Sequence, residues 1–384
     1  MAAAFLGLAG RRRWRERVAE LGRRVEAPSL RGRAAARRHE AELILARLAG
    51  ANPGGSSEGE RRVVAYAGEA VRLAAALPPE SRERLRERVV AGLTGEESLI
   101  PLFHLLRLAA MQRARGFEVH FTGLVEGTPH DLVIARDGAE AEVVCETVSA
   151  EEGRPLQRGG WCALVDAMNP DLQTWLAAHP GRYVLKVTLP EGLRTTGTDV
   201  QVLHRRILDM LQAQRRQEQA ADAILKLDPL VLAGAQSAVP AASLRAQFGP
   251  EAQLAVAQAG GNMLVLAARA GGGNDISRAV CQRLDGAVAR LGGRRPGLVA
   301  IFLDDLDRAE WRGLRDRMEL EGAVRRSLTT ERLRPVTCVS CSSRAEMFGL
   351  APPDAAAEGE LRFRNPSHPG GRVAALASAL VSTP

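Results

Sequence analysis

Apolar residues follow two different periods along the chain. Between Arg11 and Leu93 they fall three and four apart in stretches rich in Ala, Arg, Glu and Leu. This predicts helices over residues 11–26, 30–48, 60–76 and 80–93, with a loop at 51–59 and a break at Pro78-Pro79. Thr94-Gly-Glu-Glu-Ser predicts the cap of a helix that runs to Arg115. Leu99, Leu102, Phe103, Leu106 and Ala110 share one of its faces, and Gly116 closes it. The period then drops to two. Phe117–Thr122, Asp131–Arg136 and Ala139–Ser149 read as strands, the last two joined by a two-residue turn at Asp137-Gly138. A helix at 161–178 and the apolar strand Tyr183–Leu189 follow, so the order is α-β-β-β-α-β.

Beyond Pro190 the alternation continues. Helices are expected near 199–217, 275–291 and 308–328. Strands are expected near 223–232, 253–258, 263–268, 298–303 and 335–341, with a last extended segment from Glu360. The expected organisation is a basic helical arm (1–50), a helical region (51–95), an α/β core (96–190), a further α/β region (191–366) and a loose tail (367–384).

The hairpin fixes a register. A two-residue turn at Asp137-Gly138 pairs Arg136 with Ala139, and stepping back one residue on each strand sets Asp131 opposite Val144. Side chains alternate, so Glu142, Val144 and Glu146 share a face with Asp131.

Charge narrows the chemistry. The chain has 50 Arg but only two Lys, Lys186 and Lys226, and a net charge of +7. Residues 1–40 hold 11 Arg against 4 Glu, so the excess lies at the N-terminus and the remainder balances. Neither lysine stands in a Gly-x4-Gly-Lys-Ser/Thr setting, which excludes Walker-type nucleotide hydrolysis. No apolar run is long enough to cross a membrane, and the five Cys show no disulfide framework. A cytoplasmic protein with no membrane partner is expected.

Pro129-His130-Asp131, the strand order and the segment Cys145-Glu-Thr-Val-Ser together resemble the PD-(D/E)xK, or restriction-endonuclease-like, nuclease superfamily. The last segment is similar to Glu-Cys-Lys-Thr-Val-Ser in some bacterial members. The resemblance implies a mixed-sheet α/β fold in which an acid opens the second strand and an acid-x-lysine triplet lies on the third. The acids would hold Mg²⁺, which polarises a phosphodiester and activates water. In this chain the triplet falls on Val144-Cys145-Glu146, so the usual acid is Val144 and the usual lysine is Glu146. Two readings follow. In one, Asp131, Glu142 and Glu146 form a relocated metal site and Lys186 supplies the missing cation; Glu142 lies about 6–7 Å along the strand from the usual acid position. In the other the site is degenerate, and the protein binds DNA or a protein partner with little or no cleavage. A purely scaffolding role is the third reading. Three clustered acids without a metal are tolerable only if they are solvated or paired with arginine.

Other signals have plain structural readings. Glu96 and Glu97 suit a helix start. Asp304-Asp305-Leu-Asp307 resembles a Walker B acid, but a helix cap serves equally. Gly271–Asp275 reads as an ordinary connection. Cys338-Val-Ser-Cys341 is a single pair whose side chains face opposite sides of a strand. Arg362, Arg364 and Asn365 fit an edge strand. Arg11, Arg12, Arg13 and Arg15 are the candidate phosphate contacts, with Trp14 the one aromatic beside them.

Overall fold

The structure, a computed structural model, describes residues 1–26, 29–49, 57–195, 199–230, 248–249 and 251–381. The chain folds as two compact units. The first is built from Met1–Arg24, Ala36–Glu152 and Ile276–Pro384, and the second from Val25–Ala35 and Gly153–Asp275. The second unit is thus largely an insertion in the first. No described helix is long and apolar enough to cross a membrane.

The first unit is organised by a six-stranded mixed sheet. Its strands are β1 (Glu118–His120), β2 (Leu132–Arg136), β3 (Ala139–Ser149), β9 (Gly297–Asp304), β10 (Val336–Ser343) and β11 (Leu361–Arg364), in that spatial order. β1, β2 and β3 form an antiparallel meander, β3, β9 and β10 run parallel, and β11 is antiparallel to β10. The hairpin has the expected register, Arg136 to Ala139 through Leu132 to Val143. Asp137 (φ 49°) and Gly138 (φ 76°) both lie in the left-handed region that a tight two-residue hairpin requires. Asp131 is the next step, and its N–H donates to the Val143 carbonyl (2.9 Å).

Alternation on β3 divides two apolar layers. Ala141 and Val143 join the layer that contains α7 (Ile100–Ala114) and the N-terminal helices. Val144 and Val148 face the layer built on the helix Ile276–Ala287 and the helices Arg308–Asp316 and Glu319–Leu328. The last two were expected as one helix; Met318, at φ 55°, breaks it. Cys338 and Cys341 fall in opposite layers, as strand alternation requires.

Four further expectations are not met. Strand β4 (Arg182–Leu189) was expected as the fourth strand of the α/β core, but it lies in the second unit and in a different sheet from β3. Its sheet has the order β5-β6-β4-β8-β7, with β5 Gln217–Gln219, β6 Ile224–Pro229, β7 Gln253–Ala259 and β8 Asn262–Ala270. The expected core at 96–190 is therefore divided at residue 152, and its fourth strand is β9. Residues 1–50 were expected as an arm, but Phe5, Trp14, Ile44 and Leu45 are buried in the same apolar layer as Phe103. The tail is not loose up to residue 380, because Leu376, Ala379 and Leu380 are buried there too. Thr94–Ser98 forms turns, and α7 starts later, with Pro101 in its first turn. Residues 51–56 of the loop expected at 51–59 lie outside the described residues, as do 231–247 and 382–384, and Glu58 and Gly59 already belong to the helix Glu58–Ala76.

His104 on α7 is buried against Phe302, and its Nε2–H donates to the Ala300 carbonyl at 3.1 Å. Nδ1 has no partner. Burial pulls the ring down from its ordinary 6.5 to about 4. The unfolded ring gains its proton near pH 6.5 and the folded ring only near pH 4. Stability is therefore fully retained above 6.5 and falls as pH drops through that window, by on the order of 3 kcal/mol. Urea midpoints of wild type and His104→Gln, compared at pH 7.5 and 4.5, check this. The variant should lose less stability on acidification, and equal losses would show that His104 is not the titrating group.

Candidate functional site

Asp131 sits just before β2, and its backbone is fixed from two sides. Its N–H pairs with Val143, and its carbonyl accepts from Gly123 N at 3.1 Å. A Cβ at residue 123 would approach the His130 carbonyl to 2.8 Å, so only glycine allows this contact. The carboxylate is 3% exposed and both oxygens are engaged. Oδ1 accepts from Arg88 Nη2 (2.9 Å), while Oδ2 accepts from Arg290 Nη2 (2.5 Å) and the Cys145 backbone N–H (2.9 Å).

Arg290 also donates from Nη1 to Glu146 Oε1 (2.6 Å) and from Nε to the Pro129 carbonyl (2.8 Å). One guanidinium thus joins the two acids that the hairpin register placed on one face. Its planar fork suits this bridging, which a lysine ammonium cannot reproduce. Burial pulls the Arg290 guanidinium down, but attraction to Asp131 and Glu146 outweighs it and the net direction is up. Arg283, two helical turns before Arg290, lies 3.7 Å from Glu146 Oε2 and donates to both Glu152 oxygens (3.1 and 3.2 Å).

Glu142, the third predicted acid, is held separately. Its Oε2 accepts from the Gly292 backbone N–H at 2.6 Å, and Arg295 Nη1 lies 3.9 Å from Oε1. A Cβ on Gly292 would approach Oε1 to 2.9 Å, so this glycine allows the backbone to close over the carboxylate. Arg295 also pairs with Glu140 (2.7 Å).

This donor set does not fit Mg²⁺, which needs carboxylate oxygens free to enter an octahedral shell. Both oxygens of Asp131 and one of Glu146 are taken by N–H donors, and a cationic group already stands between them. Among the described residues no group of three or more His, Cys, Asp or Glu side chains is arranged to hold a metal ion. Cys145 is no ready nucleophile, because burial pushes its thiol well up and the charge of Asp131 adds to the shift.

The remaining candidates lie elsewhere. Lys186 belongs to the second unit, where its Nζ donates to Asp228 Oδ2 (2.9 Å). It cannot be assigned to the acid cluster on its strand, since β4 is not a neighbour of β3. Glu96 is exposed and paired with Arg24 (2.8 Å), and Glu97 is exposed. Asp304, at the end of β9, accepts from Arg344 Nε (2.5 Å), and Asp307 caps the helix Arg308–Asp316 in a reciprocal box with Glu310. Burial raises the Cys338 thiol to about 12 and Cys341 moves in the same direction, so both behave as core residues. Arg11, Arg12, Arg13 and Arg15 are all exposed, with Arg12 paired to Glu16 (2.9 Å), while Trp14 is buried and offers no stacking surface.

No family model matches the sequence, and no curated protein or solved structure matches it either.

Removing the bridge should be costly. Arg290→Ala leaves Asp131 buried with part of its compensation gone, and the expected loss is about 2–3 kcal/mol, discounted for the partial exposure of Arg290. Arg290→Lys should recover less than half of it, because one ammonium cannot make the same three contacts. Urea unfolding of the three proteins measures this. Full recovery by lysine would mean that charge alone matters and the fork geometry does not.

Proposed function

We propose that this chain is a nuclease-like protein of the PD-(D/E)xK pattern in which arginine stands where the metal would, and that it binds DNA without cutting it. The observation that carries this reading is the single Arg290 guanidinium bonded to both Asp131 and Glu146. Two features of the first unit support it. With the insertion and the one-turn helix Thr122–Val125 set aside, the order is α7, β1, β2, β3, the helix Ile276–Ala287 and then β9 parallel to β3, which is compatible with the α-β-β-β-α-β arrangement of that pattern. The hairpin register runs to the pair Leu132 and Val143, and Leu132 is one residue after Asp131, which supports reading Asp131 as the first acid of that pattern.

Hydrolysis of a phosphodiester at neutral pH needs a group that activates water and one that stabilises the charge growing on phosphorus oxygens. Asp131 and Glu146 are poor bases for water, because both oxygens of Asp131 and one of Glu146 accept from N–H donors and the neighbouring guanidinium groups stabilise the ionised carboxylates. A phosphate approaching them would also have to displace Arg290 or meet Asp131 and Glu146 unshielded. DNA contact is assigned instead to the exposed arginines Arg11, Arg12, Arg13 and Arg15 on α2 (Arg11–Glu26), which interact with phosphate without reading sequence.

Two assays on the full chain test this. Plasmid and oligonucleotide substrates should remain uncut with Mg²⁺ or Mn²⁺. A labelled duplex should bind with an affinity that falls steeply with salt, and changing Arg11, Arg13 and Arg15 to Gln should reduce the log–log salt slope by about 2–3. Metal-dependent cleavage that disappears in Asp131→Asn would overturn the reading, as would no DNA binding at low salt.

A further inference from the structure

The two sheets have four edge strands, and three of them are blunted in familiar ways. β1 has three residues and carries Glu118 and His120. β11 has four and carries Arg362 and Arg364. β5 has three, and its Glu218 is tied to Arg206 (3.5 Å) and Arg215 (3.2 Å). β7 differs from all of them. Its seven residues, Gln-Leu-Ala-Val-Ala-Gln-Ala, contain no charge and no proline, and they pair with β8 in unbroken register. Among the described residues no strand pairs with its outer side.

Val256 lies at the centre of β7 between Ala255 and Ala257, with Leu254 and Gln258 the next residues on either side. Ala255 and Ala257 are buried in the core of the second unit, while Val256 is 46% exposed. In an antiparallel pair of two such strands centred on Val256, Ala255 faces Ala257, Leu254 faces Gln258 and Val256 faces its own copy. No two charges meet, small residues lie on the covered face, and the free backbone N–H and C=O groups of each edge satisfy one another. An identical surface that complements itself about a two-fold axis is the requirement for a symmetric dimer.

We propose that β7 pairs with β7 of a second copy of this chain, joining the two five-stranded sheets edge to edge. Strand addition of this length lies at the small end of specific interfaces, below about 1,200 Å², so a dimer that dissociates in the micromolar range is expected. The proposal does not depend on the DNA-binding reading.

Sedimentation velocity on the full chain from about 1 to about 100 μM tests it. Wild type should move from monomer to dimer across that range. Val256→Lys and Val256→Glu each place like charges face to face and should weaken the dimer at least about tenfold. An equimolar mixture of the two should recover it, because lysine then faces glutamate. Circular dichroism establishes that both variants are folded, and the recovery on mixing requires it. A monomer at every concentration would overturn the proposal. So would an undiminished dimer in either variant, or no recovery in the mixture.

Discussion

A buried carboxylate must have a compensating positive charge, and the centre of the first unit depends on how this need is met. Asp131 is 3% exposed and fixed by backbone contacts to β3 and to Gly123, so it cannot turn toward water. The strand register brings Glu146 to the same face. Two acids held this way repel one another unless a cation joins them. Arg290 supplies it from the turn after the helix Ile276–Ala287, with Arg88 and Arg283 completing the set from α6 (Pro79–Ala91) and from that same helix. The contacts therefore tie together three parts of the unit far apart in sequence. The same solution recurs at the end of β9, where Arg344 neutralises Asp304 and donates to the carbonyls of Arg37 and Arg38 (2.8 Å each).

This arrangement gives the arginine-rich composition a physical role. Guanidinium groups remain charged under all ordinary conditions and can reach two carboxylates at once. The scarcity of lysine matters at one place, because the position at which the nuclease resemblance calls for lysine holds Glu146. That glutamate adds a second negative charge beside the buried Asp131, and Arg290 bonds to both. Val144, at the position where the resemblance implies an acid, packs into the layer beneath the sheet.

Much of this was legible in the sequence, and the missing part has a clear cause. Asp137-Gly138 determined the hairpin and its register, because Asp-Gly readily adopts the two left-handed conformations of a type I′ two-residue turn. The helix Arg11–Glu26 and strand Ala139–Ser149 have the boundaries that their apolar periods predict. The fourth strand was misassigned because β4 and β9 are both short apolar runs, and periodicity cannot tell which sheet receives a strand. The inserted unit placed the wrong one nearer in sequence. Arg290 gave no signal at all. It lies 144 residues after Glu146 and is one of 50 arginines. The need for a partner arginine followed from the clustered acids, but its identity depended on the tertiary fold.

Arg290 is the resident cation of the Asp131–Glu146 pair, and its guanidinium stands where a divalent ion would have to bind. Anything that binds the folded state alone raises its stability in proportion to the logarithm of its concentration. The most direct measurement is the thermal midpoint of the full chain with Mn²⁺ raised from zero to about 10 mM at constant ionic strength. The account predicts no rise in the midpoint. A midpoint that climbs with Mn²⁺ in wild type, but not in Asp131→Asn, would contradict it.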